Sequence, residues 1–271
     1  MTSEDLLTID PPLADRRVAY GDDPLQFGDL RLPAGPGPYP LVIAIHGGYW
    51  RNRYDLVHLG HLCAALTGAG FATFNLEYRR VGDPGGGFPG TFHDIVAGTR
   101  WIIDRASDHH IDANRAVVIG HSAGGHLAAW LGCLSNVPST SPVAAEPIPL
   151  RGVVALAGIL DLQEAWTRHL SNDAVVELLG GTPAEWPDRY AAASPVALLP
   201  TTTPQVLIHG DADDIVPLDI SLRYHEQASV TGTPSELIVL RQTDHFAVID
   251  PRSGAWPPIL AAISTLIDGE L

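Results

Sequence analysis

Residues Ala116–Gly124 read Ala-Val-Val-Ile-Gly-His-Ser-Ala-Gly, and an apolar helical pattern continues from there over residues 123–134. The order of strand, G-x-S-x-G turn and helix is typical of a nucleophile elbow. So sharp a turn leaves room only for small neighbours, which Gly120 and Gly124 supply. It exposes the serine hydroxyl at the carboxyl end of the strand, where the helix N-terminus favours developing negative charge. We therefore predict Ser122 as a catalytic nucleophile.

The acid of a serine–histidine–acid arrangement is expected downstream, because a serine hydroxyl needs a base and the base needs an orienting carboxylate. In chains with this kind of elbow, the acid comes after the serine in the sequence and the histidine comes after the acid. The strand pattern Gln205–His209 ends in a turn, Gly210–Pro217, which contains three aspartates. Asp213 stands three residues after the glycine and four before the proline, a common register for the acid, and we predict it for that role. Asp214 and Asp211 stay as alternatives.

The base should follow the next strand pattern, Glu236–Leu240. His245 lies there as the last of the 12 histidines, and we predict it as the general base. His58 and His61 stand three residues apart on a helical pattern, but no third metal ligand accompanies them. A surface or groove position fits these two residues better than a metal site. Neither a metal nor another cofactor is therefore expected.

A candidate oxyanion hole precedes the elbow in the sequence. The strand pattern Leu41–Ile45 is followed by the loop His46–Trp50, which reads His-Gly-Gly-Tyr-Trp. Such a turn after an early strand supplies backbone N–H donors for a tetrahedral oxyanion, beside the N–H that follows the nucleophile. We predict Gly48, Tyr49 and Ala123 as these donors, with the first glycine of the loop as an alternative. The histidine of the loop is expected to brace it through its ring.

Strand-like apolar runs alternate with amphipathic helical stretches, which favours an α/β fold with a mostly parallel central sheet and helices on both faces. Residues Arg17–Leu32 predict one or two antiparallel edge strands. Residues 161–200 do not follow this alternation of strands and helices. We predict that they form a small helical insertion over the site, within a single domain of residues 1–271. The predicted strands are Leu41–His46, Phe71–Leu76, Ala116–Gly120, Gly152–Ala157, Gln205–His209 and Glu236–Leu240, and the predicted helices are 55–69, 91–107, 123–134, 217–229 and 256–268.

The composition narrows the classes of function and partner. A net charge of −15 disfavours nucleic acid and anionic membranes as partners, and all 16 basic residues are Arg. Without Lys there is no Schiff-base lysine, P-loop lysine or Ser–Lys dyad. Cys63 and Cys133 lie in apolar patterns and are expected to be buried thiols. The N-terminal stretch has no readable signal peptide or membrane span, which predicts a cytoplasmic protein. Its oligomeric state is left open, with a homodimer as one option.

Three loop motifs resemble those of one known protein family. His-Gly-Gly-Tyr-Trp-Arg at 46–51, Glu-Tyr-Arg-Arg-Val-Gly at 77–82 and Gly-Phe-Pro-Gly at 87–90 resemble the kynurenine formamidase (arylformamidase) branch of the α/β-hydrolase fold, close to hormone-sensitive-lipase-like esterases. The motif order is similar over roughly residues 15–250. The resemblance implies hydrolysis of N-formylkynurenine to kynurenine and formate, in tryptophan catabolism, and turnover of small esters. A general short-chain carboxylesterase and a non-catalytic hydrolase-fold binding protein stay as alternatives.

An aryl substrate needs an apolar pocket, and several aromatic side chains follow the predicted strands. Arginines in the same loops are candidates to pair with a substrate carboxylate, although salt bridges within the protein are the commoner role for any one of them. The predicted pocket residues are Trp50, Phe88, Trp166 and Trp186, and the arginines are Arg51, Arg53, Arg79 and Arg80.

Overall fold

One eight-stranded sheet runs through the computed structural model, which describes residues 7–271. Its strands lie in the order β1-β2-β4-β3-β5-β6-β7-β8. The neighbours from β4 through β3 to β8 are parallel, whereas β2 pairs antiparallel with both β1 and β4. The strands are β1 Arg16–Ala19, β2 Phe27–Arg31, β3 Tyr39–Ile45, β4 Ala72–Leu76, β5 Ile111–His121, β6 Gly152–Leu156, β7 Gln205–Gly210 and β8 Ser235–Leu240.

Helices cover both faces of the sheet, because successive residues of the central strands point to opposite sides. In β3, Ile43 belongs to the apolar cluster packed under α2, α3 and α7, whereas Val42 belongs to the cluster under α1 and α8. Burying one such side chain stabilises the fold by roughly 1.5–3 kcal/mol. The predicted α/β class and the mostly parallel sheet are thus confirmed. The helices are α1 Gly60–Gly68, α2 Gly90–Asp104, α3 Ala123–Gly132, α4 Leu162–Thr167, α5 Ala174–Leu179, α6 Pro187–Ala193, α7 Leu218–Thr231 and α8 Trp256–Asp268.

Strand β5 begins five residues earlier than predicted, at Ile111. Ile111 and Asp112 pair with Tyr39 and Pro40 of β3, and the register then shifts between Pro40 and Leu41. Ile111 is 5% exposed and packs into the core, but the mostly polar run Asp-Ala-Asn-Arg that follows it hides this part of the strand from a hydrophobicity pattern. The two cysteines lie as expected, buried and free.

Residues 161–200 form the three short helices α4, α5 and α6 and a 3₁₀ turn at Pro195–Leu198, between β6 and β7. We call this segment the insertion. The indole of Trp130 donates to the carbonyl of Ala192 at 2.9 Å, and Nε2 of His126 donates to that of Ala193 at 2.8 Å. Both donors belong to α3, so the insertion is attached to the helix that follows the elbow. Within residues 7–271, no helix has the length and apolarity needed to cross a membrane.

Candidate active site

Ser122 lies in the sharp turn between β5 and α3, as the G-x-S-x-G pattern predicts. Its backbone has φ 57° and ψ −120°, a conformation that a non-glycine residue adopts only under strain. An added Cβ on Gly120 would stand 2.0 Å from the carbonyl oxygen of Gly124, and one on Gly124 would stand 2.0 Å from that of Ile45. The turn therefore accepts no larger residue at either position. The serine is 3% exposed.

Asp213 contacts His245, and this pair is the one that the turn register predicts. Nδ1 of His245 donates to Oδ2 of Asp213 at 2.7 Å, while Oδ1 accepts from the N–H groups of Ile215 and Val216 at 2.9 and 2.8 Å. Burial alone would raise the pKa of Asp213, but hydrogen bonds from His209 and His245 outweigh it and hold that pKa well below its usual range. The carboxylate is therefore ionised and available to orient the imidazole.

The other two aspartates of the turn are exposed. Asp211 accepts from the backbone N–H of Gln242 at 2.5 Å, which joins the turn to the loop after β8. Asp211 therefore shapes the turn. Asp214 is exposed to solvent.

His209, at the end of β7, is a second partner of the acid that the sequence reasoning missed. Its Nε2 lies 2.9 Å from the carbonyl of Val216 and 3.2 Å from Oδ2 of Asp213. Because a carbonyl oxygen only accepts, Nε2 carries the proton and shares it between the two oxygens. Nδ1 faces the hydroxyl of Ser221 at 2.8 Å, so the ring is fully engaged. The sequence feature that could have identified it is a histidine within an apolar strand, four residues before the predicted acid.

The loop after β3 has an unusual backbone, with φ 110° at Gly48 and positive φ also at Tyr49 and Trp50. This run of left-handed residues turns the N–H groups of the loop away from their ordinary strand direction. As predicted, the ring of His46 braces the loop, since its Nδ1 faces the carbonyl of Gly47 at 2.8 Å.

Behind this loop lies a buried carboxylate, Glu77, which the sequence reasoning also missed. Its Oε1 lies 3.1 Å from Nε2 of His46 and 3.2 Å from the guanidinium of Arg80, and its Oε2 accepts from the N–H of Leu56 at 3.0 Å. Burial tends to raise the pKa of Glu77, but the charge and hydrogen bond of His46 and the charge of Arg80 lower it overall. The loop His46–Trp50, which contains the predicted oxyanion donors Gly48 and Tyr49 and which we call the oxyanion loop, thus rests on an ionised carboxylate with several partners.

Ser122 and His245 share a cavity of about 80 Å³ with two of the predicted oxyanion donors. The hydroxyl of Tyr49 donates to the carbonyl of Ile215 at 3.0 Å, which ties the oxyanion loop to the turn of the acid. Ala123, the third predicted donor, is the first residue of α3 and is buried. The cavity is lined by Gly48, Tyr49, Tyr54, His58, Ser122, Ile215, His245 and Phe246.

The four aromatic residues predicted to form an aryl pocket do not line this cavity. Trp50 is 1% exposed and donates to Nδ1 of His126 at 3.1 Å, because the left-handed loop turns it into the core. Phe88 and Trp186 line a separate cavity of about 590 Å³, and Trp166 lines another of about 660 Å³. The structure therefore distributes these side chains over three places.

Three of the four predicted arginines pair with carboxylates of the protein. Arg51 pairs with Glu177 at 2.6 Å, Arg79 with Asp94 at 2.6 Å and Arg80 with Glu77 at 3.2 Å. The fourth, Arg53, is exposed, and its guanidinium lies over the ring of Tyr54, with 5.8 Å to its centroid. Across residues 7–271, no cluster of three or more His, Cys, Asp or Glu side chains could hold a metal ion.

Curated relatives of this chain include two esterases. The esterase LipC of Mycobacterium tuberculosis is 27% identical over 222 residues, which cover 78% of this chain and 54% of that protein. The isoprenylcysteine alpha-carbonyl methylesterase ICME of Arabidopsis thaliana is 26% identical over 281 residues, covering 94% of this chain and 62% of that protein. The chain thus spans somewhat more than half the length of these relatives.

Solved structures with the same fold include a truncated carbohydrate esterase from gut microbiota, with a TM-score of 0.82, 22% identity and coverage of 96% of this chain and 100% of that one. Esterase B of Lactobacillus rhamnosis, inhibited by a tributyrin phosphonate, has a TM-score of 0.81 at 19% identity and covers 99% of this chain and 91% of that one. The sequence also matches the BD-FAE family over residues 29–227, which is most of its length. The chain therefore belongs to the BD-FAE family and has the α/β-hydrolase fold.

Proposed function

We propose that this protein is a carboxylesterase that hydrolyses esters of short acyl groups through Ser122, His245 and Asp213. The observation that carries the proposal is the contact of 2.7 Å between His245 and Asp213, in a pair whose histidine lines the same small cavity as the strained serine. The relatives LipC and ICME, both named as esterases, support an ester as the substrate.

The hydrogen bond to Asp213 fixes the tautomer of the base. Because Nδ1 of His245 donates to the carboxylate, Nε2 holds the lone pair that takes the proton of Ser122 as Oγ attacks the acyl carbon. N–H groups of Ala123 and of the Gly48–Tyr49 loop then hold the oxyanion. His245 returns the proton to the leaving alcohol, and water attacks the acyl-enzyme with the same histidine as base.

The size of the cavity limits the substrate. Its volume of about 80 Å³ is small beside the roughly 590 and 660 Å³ of the two cavities that the insertion lines. The rings of Tyr49, Tyr54 and Phe246 form part of its wall, so a longer chain would have to displace an aromatic side chain. We therefore expect acetyl and propionyl groups to be preferred over longer ones.

The arylformamidase activity implied by the loop motifs is the second candidate. A formyl group is smaller than an acetyl group and also fits the cavity, which favours this reading. Against it stand the distribution of the four aromatic residues over separate places and the pairing of Arg51, Arg79 and Arg80 with carboxylates of the protein. A short-chain ester is therefore the better-supported substrate.

A substrate panel tests the proposal. We expect kcat/KM for 4-nitrophenyl acetate to exceed that for the octanoate and that for N-formylkynurenine, and Ser122→Ala to lose about 10⁴-fold or more in kcat. A fluorophosphonate should label the wild type and not this variant. Faster turnover of N-formylkynurenine than of any ester would overturn the esterase assignment. Absence of both turnover and labelling would favour a binding protein.

A further inference from the structure

A chain of three histidines joins the elbow to the candidate base. Nε2 of His121, the residue before the nucleophile, lies 2.8 Å from the carbonyl oxygen of His245. Nδ1 of His121 lies 2.7 Å from Nε2 of His58. The ring centroids of His121 and His245 are 4.5 Å apart, and those of His58 and His121 are 4.9 Å apart. His121 thus contacts both the ring and the main chain of His245.

The partners determine where each proton lies. The carbonyl of His245 can only accept, so Nε2 of His121 carries a proton and Nδ1 of the neutral ring holds a lone pair. His58 must therefore donate from Nε2, which leaves its own Nδ1 bare. Consistently, Nδ1 of His58 is buried without a partner among the residues that the structure describes.

Both supporting rings are neutral. Burial, reinforced by the charges of His46 and His245, lowers the pKa of His58 to about 3. Burial together with the neighbouring His245 and His58 lowers the pKa of His121 well below its usual value, against the opposing charge of Asp213. A neutral ring beside His245 matters, because a like charge would oppose the imidazolium that forms during catalysis.

We propose that His121, held in one tautomer by His58, is a positioning residue that fixes His245 relative to Ser122. This inference rests on the proposed function, in which proton transfer between those two residues is the first step. His245 lies on a loop after β8, outside any helix or strand. His121 is covalently attached to Ser122, so its hydrogen bond to the His245 carbonyl connects nucleophile and base within one residue. A displacement of about 1 Å at such a site costs on the order of 100-fold in rate.

Two substitutions at the same position separate positioning from packing. His121→Leu fills the space but makes neither hydrogen bond. His121→Gln can donate from its amide nitrogen to the His245 carbonyl and accept from His58 through its amide oxygen. We expect His121→Leu to lower kcat for 4-nitrophenyl acetate by about 10- to 100-fold with KM within about 2-fold, and His121→Gln to recover most of the loss.

His225 provides the control, because it is a half-buried histidine of α7, a helix that contributes no residue to the cavity of Ser122. Its Nδ1 lies 2.9 Å from the hydroxyl of Ser235. We expect His225→Leu to change kcat of the folded protein by less than about 3-fold. If His225→Leu lowers kcat as much as His121→Leu, or if folded His121→Leu keeps the wild-type kcat, the positioning role is wrong.

A measurement without substrate keeps this inference separate from the esterase proposal. The proton between His245 and Asp213 should give a downfield resonance in the ¹H NMR spectrum of the wild-type protein. We expect His121→Leu to shift or broaden this resonance, and His121→Gln and His225→Leu to preserve it. An unchanged resonance in His121→Leu overturns the positioning role even if the protein hydrolyses esters. A wild type that hydrolyses no ester, with the resonance still sensitive to His121, overturns the esterase proposal alone.

Discussion

Ser122, Asp213 and His245 lie at one edge of the sheet, which we call the triad edge. The contacts that stabilise this edge differ from those that attach the insertion. Two short hydrogen bonds hold His245 there, at 2.7 Å between its Nδ1 and Asp213 and at 2.8 Å between its carbonyl and Nε2 of His121. Removing one partner there leaves another buried polar group without its bond, which is costly. Substitutions at the triad edge should therefore change reaction rates strongly.

The insertion is attached by apolar side chains that pack into the core, by its own backbone carbonyls and by partly exposed ion pairs. Carbonyls of Ala192 and Ala193 accept from α3, and the ion pair of Glu177 with Arg51 has a glutamate side chain that is 44% exposed. Contacts of this kind hold a segment in place without fixing the orientation of its outer side chains. Substitutions in the insertion should therefore have small effects on the rate with short esters.

The largest expected effect is at the acid. Asp213→Asn should lower kcat by about 10⁴-fold, because the amide cannot hold the imidazole in its working tautomer or stabilise its cation. Asp211→Asn, in the same turn but bonded to the backbone of Gln242, should change kcat by less than about 3-fold. Steady-state kinetics on 4-nitrophenyl acetate measures both. Equal losses in the two variants would contradict the assignment of Asp213.

His209→Leu is expected to have the next largest effect, about 10-fold in kcat, because one of the two histidines that fix Asp213 is lost. The depressed pKa of Asp213 stabilises the fold above its unfolded pKa of about 3.9, and this stability is lost as the pH falls below that value. Removing His209 raises the pKa, so less stability remains to be lost.

Urea unfolding between pH 7 and pH 3 measures this difference. The wild-type free energy of unfolding should fall more steeply below pH 4 than that of His209→Leu. His225→Leu, which loses a bond to Ser235 away from the acid, is the control and should retain the wild-type pH dependence. A wild-type slope in His209→Leu would show that His209 does not influence the carboxylate.

The wall of the small cavity should control chain length. Tyr54→Ala removes an aromatic ring from it, and we expect the ratio of kcat/KM for the butyrate to that for the acetate to rise by about 10-fold. Trp186→Ala, in the insertion and beside another cavity, should leave that ratio unchanged. If Trp186→Ala changes the ratio and Tyr54→Ala does not, acyl groups bind against the insertion instead of at the triad edge.

The contrast between the triad edge and the insertion also explains which features of the site could be predicted from the sequence. The positions of Ser122, Asp213 and His245 were predictable because the carboxyl ends of parallel strands meet at one edge, and each residue lies in the turn or loop that follows its strand. His209 and Glu77 escaped prediction, since only the three-dimensional packing shows which carboxylate or carbonyl a buried polar side chain meets. Trp166 and Trp186 lie away from the cavity of Ser122 for another reason: six- and seven-residue helices are oriented by tertiary contacts, which the sequence pattern does not specify. Trp50 lies away from it because the left-handed backbone of its loop turns the side chain into the core.

The smallest expected effect is at the contact between the two regions. Arg51 follows the oxyanion loop directly and reaches the insertion through Glu177 at 2.6 Å and Ser171 at 2.9 Å. Because the pair is partly exposed, Glu177→Gln should lower the free energy of unfolding by less than about 1 kcal/mol, and 1 M salt should remove most of that difference. Its kcat/KM for the acetate should stay within about 2-fold of wild type. A loss of kcat above 10-fold, without a matching loss of stability, would mean that the insertion acts on the oxyanion loop through Arg51, and the two regions would then have to be treated as one catalytic unit.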